Sequence, residues 1–99
     1  IQPCLMQKSF HSDQYQILLN LLRQARIDRA VTQELLSANI GMSQSDISKV
    51  ERGVRRLDVV ELRLWLRGLG VPLQSFSAEL DDRLSAYEAM SKQVLGRKK

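Results

Sequence analysis

Apolar side chains recur along this chain at the period of an α-helix. Tyr15, Leu18, Leu19, Leu22 and Ala25 stand at i, i+3, i+4, i+7 and i+10. Val59, Leu62, Trp65, Leu66 and Leu69 form a second stripe, and Phe76, Leu80, Leu84 and Tyr87 a third. No stretch alternates apolar and polar residues for long with β-branched side chains, and the prolines are confined to Pro3 and Pro72. The expected fold class is all-α, with five helices joined by short linkers and packed as a small bundle.

Start and stop signals divide the chain. Ser12 and Asp13 suit the N-cap of a first helix over residues 13–28. A second helix begins at Thr32, carries Glu34 in its first turn and turns Leu35 and Leu36 inward. It ends near Ala38 and Asn39, where Gly41 suits a left-handed turn. Ser43 caps a third helix running to about Arg52, with Ile47 and Val50 inward and Gly53 as its stop. Asp58 with Glu61 three residues later reads as a capping box for the fourth, which Gly70 ends and Pro72 keeps from continuing. Ser75 or Ser77 caps the fifth. The expected organisation is a flexible segment over 1–12, a helix-turn-helix domain over 13–73, a C-terminal helix over 74–95 and a basic tail over 96–99. Met6 reads as the genuine start, with residues 1–5 a remnant before it.

Composition narrows the chemistry by exclusion. Ninety-nine residues suffice for one domain with a modest core. A lone Cys4 and a lone His11 leave neither an internal disulfide nor a four-ligand zinc site. Asp81 and Asp82 are adjacent and so diverge on a helix, which makes them a solvated face rather than an acid–base pair. Trp65 lies on an apolar stripe and is expected in the core. With no phosphate loop and no nucleophile–base set, no enzyme, cofactor or metal is expected. There is no apolar run of about 18 residues to span a membrane, and no secretory signal at the start, so cytoplasmic placement is expected. The net charge of +4 favours an anionic partner only mildly.

The informative stretch is residues 32–53, TQELLSANIGMSQSDISKVERG. Two short helices about a glycine bend form a helix-turn-helix. Leu36, Ile40, Met42, Ile47 and Val50 must wedge between the helices and the rest of the core. Ser37 must be small where the helices cross. Gln44, Ser45, Asp46, Ser48 and Lys49 are left to face outward.

Over residues 22–70 the chain resembles the lambda-type repressor and Cro helix-turn-helix proteins, the XRE family. Leu22-Arg23-Gln24-Ala25-Arg26 followed by Val31-Thr32-Gln33 is similar to the family's entry signature. Ser43-Gln44-Ser45 with Ile47-Ser48-Lys49-Val50-Glu51-Arg52-Gly53 is similar to its recognition helix and exit. Arg55-Arg56 and Leu69-Gly70-Val71 also fall in register. The chain departs in having Ser37 for the usual alanine, Ala30 for a frequent glycine and Leu57 for a common proline. At Ala30 the loop is expected to differ in conformation.

The resemblance implies a lambda-repressor-like domain with a C-terminal helix extension. It places the third helix in the major groove of double-stranded DNA. Gln44, whose amide pairs with adenine, then reads bases together with Ser43, Ser45 and Lys49. Asp46 fits better as a helix-start charge than as a base contact. Gln33, Arg52, Arg55 and Arg56 contact phosphate. Arg26 and Glu51 form a partly buried ion pair.

The implied function is a sequence-specific transcriptional regulator, read as a repressor acting as a homodimer on a palindromic operator. Two other readings stand beside it: an antitoxin-type regulator that also neutralises a partner protein, and a protein-interaction adaptor with the same fold. For the dimer, the stripe of the last helix at Leu80, Leu84 and Tyr87 is favoured. Those side chains alternatively fold back on helix one around Tyr15 and Leu18.

Overall fold

The structure is a computed structural model that describes residues 2–96, with side chains described for residues 13–91. Ile1 and residues 97–99, most of the expected basic tail, lie outside it. Five helices follow in order: α1 (Gln2–Asp28), α2 (Gln33–Ile40), α3 (Gln44–Glu51), α4 (Val59–Leu69) and α5 (Leu73–Gly96). The described residues contain no strand.

Three expected caps form. Thr32 Oγ1 accepts from the Leu35 N–H, and Ser43 Oγ from the Asp46 N–H, each at 3.0 Å. Asp58 and Glu61 exchange both bonds of the capping box. Each satisfies a backbone donor that the helix start leaves open.

Two helix starts differ from expectation. α1 begins at Gln2, so Ser12 and Asp13 lie within it and residues 2–12 continue the helix. Pro3 sits in the first turn, where its missing N–H costs nothing. α5 begins at Leu73, upstream of both expected caps. The Pro72 carbonyl accepts the Phe76 N–H at 3.1 Å. The proline that keeps α4 from continuing thus also opens α5.

The loop at Ala30 keeps the left-handed backbone in spite of the substitution. Four described residues have positive φ, and Ala30, at 56°, is the one that is not glycine. The Ala30 N–H bonds to the Ile27 carbonyl at 2.9 Å and the Val31 N–H to the Arg26 carbonyl at 3.2 Å. This is the same pair of bonds with which Gly70 and Val71 close α4. The tertiary fold holds an alanine where the backbone favours glycine.

Trp65, Leu22, Leu36, Ile47, Leu66 and Val50 are completely buried, and Leu21, Leu69, Val71 and Phe76 complete the core. Every helix contributes to it. The close approach of α2 and α4 depends on Gly68, a residue that no sequence pattern singles out. A Cβ there would meet Ile40 Cγ2 at 2.5 Å and Leu36 Cδ1 at 3.0 Å. Asn39 Nδ2 donates across this contact to the Gly68 carbonyl at 3.2 Å.

α5 returns antiparallel along α1. Near the turn, Leu21 and Phe76 line one groove. Farther out, Tyr87 Oη donates to Asp13 Oδ2 at 3.0 Å. α5 thus packs back on α1, one of the two coverings left open by the sequence, and leaves Leu84 and Tyr87 only half covered.

Candidate nucleic-acid interface

α3 owes its position to one apolar face. Ile47 and Val50 are fully buried, so the helix cannot turn about its axis. Its other face therefore points outward. Ser43, Gln44, Ser45 and Lys49 are all exposed. No hydrogen bond or ion pair within the described residues engages the side chains of Gln44, Ser45 or Lys49. The Ser43 oxygen accepts the capping bond, which leaves its O–H as a donor. Asp46 lies in the first turn, near Arg55, the charge role expected of it.

Beneath this face lies a closed polar network. Arg26 grips Glu51 with two bonds, Nε to Oε2 at 2.6 Å and Nη2 to Oε1 at 3.0 Å. The side chains are only 11% and 6% exposed. Arg26 Nη1 also donates to the Val31 carbonyl at 2.8 Å. The guanidinium thus ties α1, the loop before α2 and the end of α3 together. Gln33 Nε2 donates to Glu51 Oε1 at 2.9 Å. One amide hydrogen of Gln33 is used in this way and the other remains. The Glu51 charge is balanced by Arg26 and further solvated by the Gln33 amide, so it does not oppose an anion at the helix face.

The three arginines after α3 have different partners. Arg52 Nε donates to Ser48 Oγ at 3.3 Å and stays exposed. Arg55 Nη2 bonds Glu61 Oε2 at 2.7 Å, while the other Glu61 oxygen takes the Asp58 N–H at 3.2 Å. The bond from Arg55, and then the backbone bond from Asp58, hold the Glu61 carboxyl below its ordinary range. Arg56 lies over the ring of Tyr15, with Cζ 4.4 Å from its centroid.

These partners were only partly visible in the sequence. The Asp58 and Glu61 spacing announced a cap but not its second use as an anchor for Arg55. Tyr15 stands on the apolar stripe of the first helix, and no spacing links residue 15 to residue 56. Of the side chains expected at a dimer contact, Leu80 packs against its own core, while Leu84 and Tyr87 remain half-buried on α5.

The helix-turn-helix family model matches residues 22–76, more than half of the chain. An XRE-family like protein from Pseudomonas syringae pv. tomato str. DC3000 is 38% identical. Its structure aligns with a TM-score of 0.73 over 79% of this chain and 95% of its own. The chain belongs to the XRE helix-turn-helix family. Other solved structures are similar at lower identity. The restriction-modification controller protein C.Esp1396I is 25% identical over 72% of this chain and 93% of its own, at a TM-score of 0.67. The same controller as a tetramer with its natural 35 base-pair operator is 26% identical over 70% of this chain and 91% of its own, at 0.65. No curated protein matches the chain. No helix among the described residues is long and apolar enough to cross a membrane.

Proposed function

We propose that this XRE-family chain is a sequence-specific, double-stranded-DNA-binding transcriptional regulator working in the cytoplasm. The observation that carries the reading is the outward face of α3. It presents Gln44, Ser45 and Lys49 without partners, beside a cationic segment at 52–56 and above a neutralised Glu51. The operator complex of the similar controller protein supports the same use of the fold.

In this reading α3 enters the major groove. Gln44 pairs with an adenine edge, Lys49 reaches guanine or phosphate, and Ser43 and Ser45 contact base edges with their hydroxyls. Arg52 and Arg56 contact phosphate, joined by the second amide hydrogen of Gln33. Arg55 adds charge while one edge of its guanidinium holds Glu61. One such unit reads few base pairs, so a homodimer on a palindromic operator is the natural working form. Leu84 and Tyr87 on α5 supply its contact. Occupying a promoter in this way makes repression the simplest output.

Selection from random duplexes tests the reading. Two inverted copies of one half-site should emerge from it. Gln44→Ala should then lose discrimination at one base pair, about 1–3 kcal/mol on the selected site. Arg52→Ala should weaken all sequences alike. Failure to enrich any sequence would overturn the reading.

A further inference from the structure

Arg55 and Arg56 are neighbours in sequence, yet the fold treats them differently. Arg55 meets a carboxylate, which takes N–H donors and opposes its charge. Arg56 meets the face of an aromatic ring. A cation held by a ring's negative face surrenders no N–H to an acceptor and keeps its full charge. Arg56 makes no hydrogen bond or ion pair to protein within the described residues and remains exposed. Its donors are therefore available to a phosphate, while its long side chain is already confined.

Tyr15 is suited to this task by its own surroundings. It stands on α1, half-buried, and its hydroxyl is enclosed without a hydrogen-bond partner among the described residues. The hydroxyl contributes no bond that would explain the residue. The interaction that distinguishes Tyr15 from any other side chain on that stripe is the ring under Arg56. α1 is in turn fastened to α5 two residues away, through Asp13 and Tyr87. The platform thus sits on α1, outside the helix-turn-helix and well before the recognition helix in sequence.

We infer that Tyr15 is a positioning residue for DNA binding: its ring holds the Arg56 guanidinium in place for a backbone phosphate. This rests on the proposed function, and deepens it by naming a residue on α1 that acts through Arg56 without touching DNA. Confinement before binding spares the arginine an ordering cost on the duplex. The benefit is bounded by the strength of the stack.

The test uses a mixed-sequence DNA duplex, because a phosphate contact acts on every sequence. Affinity is measured across a salt series for the full chain and four variants: Tyr15→Leu, Tyr15→Phe, Arg56→Ala, and Tyr15→Leu combined with Arg56→Ala. Tyr15→Leu should bind about two- to five-fold more weakly with its salt slope unchanged, since the charge remains. Tyr15→Phe, which keeps the ring, should bind as the parent does. Arg56→Ala should lower the slope by about 0.9. Adding Tyr15→Leu to it should do nothing more. In the DNA-free protein, ring-current shifts of the Arg56 side-chain protons should be present in the parent and in Tyr15→Phe, and absent in Tyr15→Leu.

Equal or tighter binding by Tyr15→Leu would overturn the inference, tighter binding meaning that the ring withholds Arg56 from DNA. An equal loss in the Arg56→Ala background would also overturn it, since Tyr15 would then act through folding. Failure of the parent to bind the duplex at any salt concentration would remove the proposed function and the inference with it. A binding parent with an inert Tyr15→Leu removes only the inference.

Discussion

In the helix-turn-helix, Leu36, Ile47 and Val50 have no exposed surface, and the charged groups beside them are joined in one network. Along the outer part of the α1–α5 pair, beyond Leu21 and Phe76, the facing side chains are half-buried. They include Tyr15, Leu18, Leu84 and Tyr87. The polar ties there, Tyr87 to Asp13 and Gln14 to Glu88, lie at the surface. The first region positions a helix face to within its packing tolerance. The second leaves apolar surface only half covered. Burial fixes geometry because a void or a stranded charge has no water to relieve it. A half-wet seam can open or exchange partners at modest cost.

The largest expected effect is in the buried network. Glu51→Ala leaves the Arg26 guanidinium enclosed without its carboxylate and should cost about 3–5 kcal/mol in urea unfolding. Glu88→Ala, at the exposed end of the α1–α5 pair, should stay within about 0.5 kcal/mol of the parent. Similar costs for the two would erase the contrast. Leu84→Glu combined with Tyr87→Ser comes next. It should cost the monomer about 1–2 kcal/mol and abolish dimers in light scattering while the chain stays folded. A dimer that survives this change must use another surface, such as α4, where Val60 and Leu64 are both exposed.

A smaller effect is expected at the loop joining the two regions. Ala30→Gly relieves the left-handed alanine but frees the unfolded chain, for a net gain of about 0.5–1 kcal/mol in thermal melts. A loss would mean that the fold accommodates the alanine without strain.

The smallest effect is in pH dependence, where the two regions should respond in opposite directions. The hydrogen bond to Asp13, aided by burial, raises the Tyr87 phenol above its usual range. The folded chain then holds that proton more tightly than the unfolded chain. Its contribution is complete below about pH 10 and is lost as pH climbs through the folded value. Arg55 lowers the Glu61 carboxyl, so that contribution is complete above about pH 4.5 and is lost as acid protonates it. Stability profiles of Tyr87→Phe and Glu61→Gln should converge on the parent only at alkaline and acidic pH respectively. A constant offset in either would detach the pair from stability.

The legible part of the molecule follows from local chemistry. Thr32, Ser43 and the Asp58 and Glu61 pair cap their helices through contacts three residues apart. Such contacts depend on the adjoining backbone alone. The Arg26 and Glu51 pair, 25 residues apart, was accessible only through family resemblance, and it forms as that resemblance implied. The starts of α1 and α5 depart from the local signals because serine and aspartate are tolerated inside helices as well as at their caps, so each marks a permitted start and not a required one.

Five helices, the burial of Leu36, Ile47, Val50 and Trp65, and the outward face of α3 are all written in the order of residues, although Leu35 and Val59, which the same periodicity turns inward, are exposed. Periodicity and capping set these, and both act within a few residues of chain. Which partner each arginine takes was settled by tertiary packing: Glu51 for Arg26, Glu61 for Arg55, the Tyr15 ring for Arg56. The same packing folds α5 back on α1 and lets Gly68 admit Ile40. Those outcomes depend on which helices come to lie side by side. A guanidinium meets its partner across space, at separations along the chain that no local pattern records.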